Sequence, residues 1–370
     1  MDGIAAQAYA FASRLAGELQ HEAHNRFQGM PSDADSRRAY EEYGRAGFIG
    51  LHWSSEFGGR GLHPLETDAV EEAFGYHWLP LSSYLLSVKT IGNALRRFAP
   101  PALAERLLPQ VARGELRFCQ GFSEPEAGSD LASLRTRAVR RDGRFVVSGR
   151  KIWTSSAEYA DWCYLAVRTD PDLPRHKGVS VLVCPMDTPG IEVITHDTLG
   201  GGTLGELVLD GVEIPEENLI GELHGGWRVL MGTLDYERVT SEKVGIARRV
   251  LDDLEPYAET PAQRLELLRL RGRTDAAAEI GSRATLLLAD GEDASAASSM
   301  AKLSIAYLLQ GIAHSAADLL GPHVFVEDGP DAVADGRIAA FHRATVATTI
   351  AGGASDIQRR VIARRGLACA

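Results

Sequence analysis

The chain has 370 residues, 45% of them hydrophobic and 24% charged, which is the balance of a globular protein and excludes disorder as its main state. Lys plus Arg number 39 against 50 Asp plus Glu, a net charge of −11. No basic stripe offsets that charge, so nucleic acid, whose binding rests on neutralising phosphates, is not an expected partner.

At ~100–200 residues per domain the length allows two or three domains. Residues 1–115 read as helices, with apolar positions at helical spacing in AYAFASRLAGEL and RRAYEEYGRAGFIGL. Turn signals fall at Met30-Pro31-Ser32-Asp33, at Phe57-Gly58-Gly59-Arg60-Gly61 and at Ala99-Pro100-Pro101. The proline pair then opens ALAERLLPQVARGE, where a missing N–H is tolerated. Residues 116–222 change texture. Short β-rich runs (RFVVSG, DWCYLAVRTD, GVSVLVCPM, IEVITH, ELVLDGVEI) are separated by Gly-rich turns, and Asp142-Gly143 marks a hairpin. From 223 to 370 the helical period returns: one long pattern over GGWRVLMGTLDYERVTSEKVGIARRVLDDLEPYA, then RLELLRLRGRTDAAAEIGSRATLLLA, SSMAKLSIAYLLQGIAHSAADLLG and ASDIQRRVIARRGL. The expected fold is α+β: an N-terminal helical domain (1–115), a small antiparallel β-sheet or barrel domain (116–222) and a C-terminal helical bundle (223–370).

Cys119, Cys163, Cys184 and Cys369 form no Cys-x-x-Cys pair and are expected to be reduced thiols. The N-terminal stretch has an acid at Asp2 and no base before Arg14, unlike a secretory signal. No apolar run is read as approaching the ~20 residues of a bilayer span. A cytoplasmic protein without a membrane partner is expected. His21 and His24 lie at i, i+3 but have no third ligand nearby, so no metal is expected. Gly200-Gly201-Gly202-Thr203-Leu204-Gly205 matches the letters of a dinucleotide fingerprint, but a strand pattern comes after it instead of a helix, so it reads as a sheet connection. No P-loop and no Gly-x-Ser-x-Gly elbow is present.

The informative stretch runs from Phe118 to Asp170. Ser123-Glu124-Pro125-Glu126-Ala127-Gly128-Ser129-Asp130 is a loop of small hydroxyls and glycine. After a hairpin, Lys151-Ile152-Trp153-Thr154-Ser155-Ser156 sets an indole beside hydroxyls. Such groups suit a flat polar heterocycle and a phosphate chain. They equally suit a hairpin with a structural Trp and turn-forming Ser and Thr.

These segments resemble the acyl-CoA dehydrogenase family. SEPEAGSD is similar to its Ser/Thr-Glu-Pro-x-Ala-Gly-Ser-Asp signature, GRKIWTSSAEYADW to its flavin segment, and GGASDIQRRVIAR to its closing motif. ELVLDGVEIPEENLIGELHGGWRVLMGTLDYER is similar to its sheet-to-helix junction. The resemblance implies an FAD enzyme that takes an α-proton from an acyl thioester on a carboxylate while the β-hydrogen leaves as hydride to the flavin. By position, it implies that Phe122 and Ser123 contact the isoalloxazine and that Trp153 flanks it. It places Thr154 and Ser155 at its hydroxyl-lined edge, Ser129 near the pyrophosphate and the thioester nucleotide, and Asp356 in the cofactor site.

In many members the base is a Glu near the C-terminus. Aligned on Asp356-Ile357-Gln358-Arg359, that position is Gly352, which can still donate a backbone N–H to the thioester oxygen. Other members carry the base on the helix after the sheet, which here makes Glu237 the candidate, with Arg238 lining the substrate cavity and Asp235 orienting it. Ala354 stands where Thr is usual, and YAETPAQRLELLRLRG lacks the Arg-Gln-Phe-Gly segment by which homotetramers reach a neighbour's FAD. The glutamine- and glycine-rich loop is replaced by Leu319-Leu320-Gly321-Pro322-His323. The resemblance therefore implies a dehydrogenase acting on an acyl-CoA or acyl-carrier-protein thioester, passing electrons to an electron-transfer flavoprotein, and assembled as a homo- or hetero-oligomer. The alternatives are a non-catalytic or half-site subunit of a heteromeric acyl-CoA dehydrogenase, completing a related chain's flavin pocket, or a flavin oxidase or monooxygenase on the same fold.

Overall fold

Helices come first, in short pieces cut by the turn residues. A computed structural model describes residues 3–19, 33–200 and 202–369; His21 and His24 lie outside them. The helices are α1 (Ile4–Glu18), α2 (Asp33–Arg45), α3 (Pro64–Tyr76), α4 (Ser82–Tyr84), α5 (Asn93–Phe98) and α6 (Pro101–Ala112), and a π-wound stretch, Leu85–Gly92, joins α4 to α5. Proline sits in the first turn of α3 and of α6, where its missing N–H leaves nothing unsatisfied. Trp53, Tyr43, Phe74 and Tyr84 are fully buried between these helices, with Tyr43 stacked on Phe74 at 4.6 Å.

His52 is held neutral in this region. Asn93 Oδ1 accepts from Trp53 Nε1 (3.0 Å) and from Arg96 (3.1 Å), and His52 Nε2 lies 3.0 Å from the same oxygen, so Nε2 carries the proton. The Thr67 hydroxyl, 3.1 Å from Nδ1, then donates. Burial, and next the Arg96 charge, push the imidazole pKa down to about 4. Below its ordinary value near 6.5 the unfolded chain binds a proton that the folded chain refuses, so stability falls as pH drops from 6.5 toward 4. Denaturant midpoints should show a loss of about 2 kcal/mol between pH 7.5 and 5 from this group, and His52→Gln should flatten that slope.

The middle of the chain is a sheet of β1 (Phe118–Gly121), β2 (Arg137–Arg141), β3 (Arg144–Ser155), β4 (Trp162–Arg168), β5 (Val179–Pro185), β6 (Ile191–Asp197), β7 (Thr203–Pro215) and β8 (Leu219–Ile220). Their order is β6-β7-β3-β2-β4-β5-β8, with β1 also paired to β4. Asp142 and Gly143 both take positive φ (49° and 76°) and close the β2–β3 hairpin as expected. Thr203 opens β7, antiparallel to β6, so the glycine-rich stretch before it connects strands and opens no helix. The sheet is mixed, not purely antiparallel. β1 runs parallel to β4, and β2 touches β4 in parallel at Arg137–Arg168. The β2–β3 hairpin lies between β1 and β4 in sequence and brings the chain back in the same direction. β3 is bulged against β7 between Lys151 and Thr154.

The last part comprises α7 (Gly226–Arg238), α8 (Ser241–Leu254), α9 (Pro261–Ala289), α10 (Ser295–Leu320), α11 (Arg337–Ala347) and α12 (Ser355–Val361), which ends in a π-turn, Ile362–Gly366. The pattern read as one long helix is two. Val239 and Thr240, consecutive β-branched residues, leave helical geometry (ψ 124° and 54°) and are buried, so the chain turns a corner directly after Arg238. A capping box of Thr260 and Gln263 starts α9. The stretch Ser295–Phe325 is long and apolar enough to cross a membrane by length and composition, contrary to the sequence reading. Its Ala- and Ser-rich turns dilute the charge, and here it packs Ile305, Leu308, Leu309 and Ile312 into the core shared with α8 and α9.

Candidate active site

The two flavin-like segments are tied together by a buried ion pair. Lys151 is 0% exposed, and its Nζ lies 2.8 Å from Glu124 Oε1 and donates to the Phe122 carbonyl at 3.2 Å. Glu124 also accepts the backbone N–H groups of Arg135 (2.7 Å) and Thr136 (2.8 Å). Burial raises the Glu124 carboxyl, but the Lys151 charge and these donors outweigh it and hold the pKa below the usual carboxylate range. Burial pushes the Lys151 ammonium down against the pull of Glu124. The Ile152 N–H donates to the Ser123 carbonyl at 2.9 Å and fixes the second segment against the first.

The bulge in β3 redirects the chain just after Lys151. Trp153 adopts φ 61° and stands 60% exposed, while Thr154 is fully buried with an Oγ1 that finds no partner. A strained, exposed indole beside an orphaned buried hydroxyl is what a planar polar ligand would cover and satisfy. Ser155, next in sequence, and Ser123, tied to this segment through Ile152, are half-buried, and Phe122 is buried with its ring 5.9 Å from Tyr164. Ser129 is exposed. The side chain of Asp356 is 91% exposed and pairs with Arg359 of its own helix at 2.6 Å. Among the described residues neither Ser129 nor Asp356 hydrogen-bonds another candidate.

Glu237, Asp235, Arg238 and Gly352 do come together. Glu237 is on the last turn of α7, where its Oε2 accepts from Gln120 Nε2 at 3.2 Å. A Cβ built on Gly352 would lie 3.3 Å from Glu237 Oε1. Gly352 has φ 66° and Gly353 φ 96°, a backbone that side chains rarely adopt. Their carbonyls are held from three sides. Arg238 Nε donates to Gly352 O (3.4 Å), Gln358 Nε2 to both oxygens (3.0 Å each), and Lys302 Nζ to Gly353 O (2.6 Å). The N–H groups of Gly352 and Gly353 find no acceptor among the described residues. Asp235 pairs with Arg238 at 3.0 Å and accepts from Ser295 and Ser298 at 3.2 Å each. Burial raises the Asp235 carboxyl despite Arg238. Gly352→Ala should force the Glu237 carboxylate aside, and substrate turnover should fall on the order of ten- to a hundred-fold.

Strand β1 joins the halves of the site. Gln120 touches Glu237, and Phe122, two residues on, packs on Tyr164, whose hydroxyl is 3.0 Å from that of Thr233, one turn before Glu237. The sequence alone does not mark Gln120, Lys302 and Gln358 as site residues. Gln120 has a signal, lying three residues before the signature loop, and Gln358 is a letter of the closing motif. A cavity of about 340 Å³ lies behind the same turn of α7, lined among others by Tyr236, Val239, Asp68, Lys89, Asn93 and Arg96. Glu237 and Gly352 are not in its wall.

The N-terminal, middle and C-terminal domain models of acyl-CoA dehydrogenases match residues 4–115, 119–212 and 224–367 in that order. The acyl-CoA dehydrogenase IpdE1 of Mycobacterium tuberculosis is 32% identical over 368 residues, covering 96% of this chain and 94% of that protein. The chain belongs to the acyl-CoA dehydrogenase family. Acyl-CoA dehydrogenase FadE34 of the same organism is 36% identical over 327 residues, 86% of this chain, although the match spans only 44% of the length of FadE34. The ChsE4-ChsE5 complex from M. tuberculosis superposes with a TM-score of 0.87 at 26% identity, covering 99% of this chain and 96% of that one. As a member of this flavin-dependent family the chain is an oxidoreductase of lipid metabolism, and the exposed Trp153 and unpartnered Thr154 fit its cofactor.

Proposed function

We propose that this chain is an FAD-dependent acyl-CoA dehydrogenase that introduces an α,β-double bond, with Glu237 as the base. The observation that carries the reading is the Glu237 carboxylate lying against Gly352, where a Cβ would stand 3.3 Å from Oε1, in a turn whose two N–H groups find no acceptor among the described residues. An α-proton beside a thioester is weakly acidic and leaves only where a base is in reach and the developing oxyanion meets donors. Gly352 supplies the N–H for that oxygen. Its lack of a side chain leaves the space that Glu237 occupies. Gln120 orients the carboxylate, Asp235 holds Arg238, and Arg238 lines the substrate side. Phe122, Ser123, Ser129, Trp153, Thr154, Ser155 and Asp356 would hold the FAD. When bound, the flavin supplies the acceptor for the hydrogen leaving the β-carbon.

The substrate in this reading is an acyl-CoA or acyl-carrier-protein thioester, the electron acceptor an electron-transfer flavoprotein, and the compartment the cytoplasm. Purified protein should be yellow, and anaerobic addition of acyl-CoA thioesters of graded size should bleach it. A flavin that none of them reduces would count against the reading, and rapid reoxidation by O₂ would favour an oxidase or monooxygenase.

A second reading, a half-site subunit working with a related chain, is favoured by one feature. His342, Val346 and Ile350 recur every four residues, Phe325 lies edge-on to His342 at 5.1 Å, and Phe325, Val346 and Ile350 are exposed. Such an apolar stripe asks for a cover. Flavin-free protein when expressed alone, with flavin regained on co-expression with a related chain, would support it; a fully active homo-oligomer would exclude it.

A further inference from the structure

We propose that Lys302 is a positioning residue for the reaction: its ammonium locks the Gly352–Gly353 turn, whose N–H groups have no acceptor among the described residues, in the shape that sets Gly352 against Glu237. The inference rests on the dehydrogenase reading and extends it to a residue outside the motifs. Two consecutive glycines have more backbone freedom than any other pair. A donor site built on them needs rigidity from elsewhere, because a misplaced donor loses most of its effect on a developing charge. Three side chains supply it here, from α7 (Arg238), α12 (Gln358) and α10 (Lys302).

Lys302 makes the shortest of these contacts, 2.6 Å to Gly353 O, and is only 5% exposed. It is four residues beyond Ser298 and seven beyond Ser295, so one face of α10 holds Asp235 and the glycine turn together. Asp235 in turn holds Arg238, which reaches Gly352 O. The whole donor turn is thus braced against α10.

The lysine also makes the brace depend on pH. Burial lowers its pKa to about 8, the charges of Lys243 on α8 and Arg238 on α7 add to this, and Glu237 opposes it. The groups facing it are therefore two cations, one carboxylate, the neutral Gln358 amide and the Gly353 carbonyl. Above pH 8 the charge-assisted bond becomes that of a neutral amine, which is weaker and longer.

The test is the rate of flavin reduction by an acyl-CoA, measured on the flavin-loaded enzyme from pH 6 to 10 for wild type, Lys302→Met and Lys302→Arg. In the wild type the rate should fall through an alkaline limb near pH 8. Lys302→Met should be on the order of ten- to a hundred-fold slower at pH 7, with that limb absent and KM within about twofold. Lys302→Arg, which stays charged, should keep more activity than the Met variant and move the limb above pH 9. Flavin content and melting temperature should be unchanged in both. Wild-type rate and limb in Lys302→Met overturn the proposal. So does a loss confined to flavin content or melting temperature, or an Arg variant with the wild-type limb. Absence of any acyl-CoA-dependent bleaching in the wild type overturns the dehydrogenase reading itself, a different result.

Discussion

Glu237→Gln should leave a folded, flavin-binding protein that acyl-CoA reduces on the order of a hundred- to ten-thousand-fold more slowly than wild type. The amide is nearly the same shape as the carboxylate, so Gln120 keeps a partner and the 3.3 Å space at Gly352 stays filled. The variant loses the basic carboxylate oxygen that accepts the α-proton. General-base catalysis contributes on the order of 10²–10⁴-fold, and among the described residues no second carboxylate is seen against Gly352. The C-terminal position that carries the base in many relatives is a glycine here, and Asp235 is committed to Arg238, Ser295 and Ser298. KM should change little, because in the proposed reaction the thioester oxygen would still have the Gly352 N–H as donor. Stopped-flow absorbance of the flavin measures the rate, and a Gln variant within tenfold of wild type would remove Glu237 from the mechanism.

The second large effect is on stability. Lys151→Met removes the fully buried cation from this pair and strands the Glu124 carboxylate with two backbone donors. Breaking one side of a buried ion pair typically costs about 3–5 kcal/mol. The melting temperature should fall on the order of 5–10 °C. The loss should be worse for flavin retention than for folding, because Lys151 also holds the Phe122 carbonyl and thereby the loop opposite Trp153. Lys151→Met combined with Glu124→Leu should recover part of the melting temperature but not the flavin, since the unpaired charge is gone while the two segments remain unlinked. The pair also gives an acid limit. Because the Glu124 pKa is held low in the folded chain, its contribution is intact above the ordinary Glu range and is lost as pH falls through the folded value.

Much of this architecture could be read locally. The helix–sheet–helix order comes from the switch between helical and alternating periods, and the Asp142-Gly143 turn named its own hairpin. The signature segments identified the loops that Lys151 and Glu124 tie together, although only the structure shows why those two letters are needed. Other features had no local signal. The period runs unbroken through Val239 and Thr240, so the break that ends α7 at Arg238 depends on how those side chains pack. The parallel pairing of β1 reflects the path of the hairpin between it and β4. Lys302 reads as a polar position on an apolar helix, and its bond to Gly353 closes a span of 51 residues that no window covers. The left-handed Trp153 arises from a bulge in the β3–β7 register, which depends on the partner strand.

The central claim is that hydrogen leaves the α-carbon by way of Glu237. Its most direct measurement is a single anaerobic turnover with acyl-CoA deuterated at the α-carbon, read by mass spectrometry of the acyl group. The wild type should yield an enoyl thioester lacking one α-deuterium, while Glu237→Gln should return the substrate with both deuteriums in place. Loss of label from the Gln variant at the wild-type rate would contradict the account, because the proton would then be leaving through some other group.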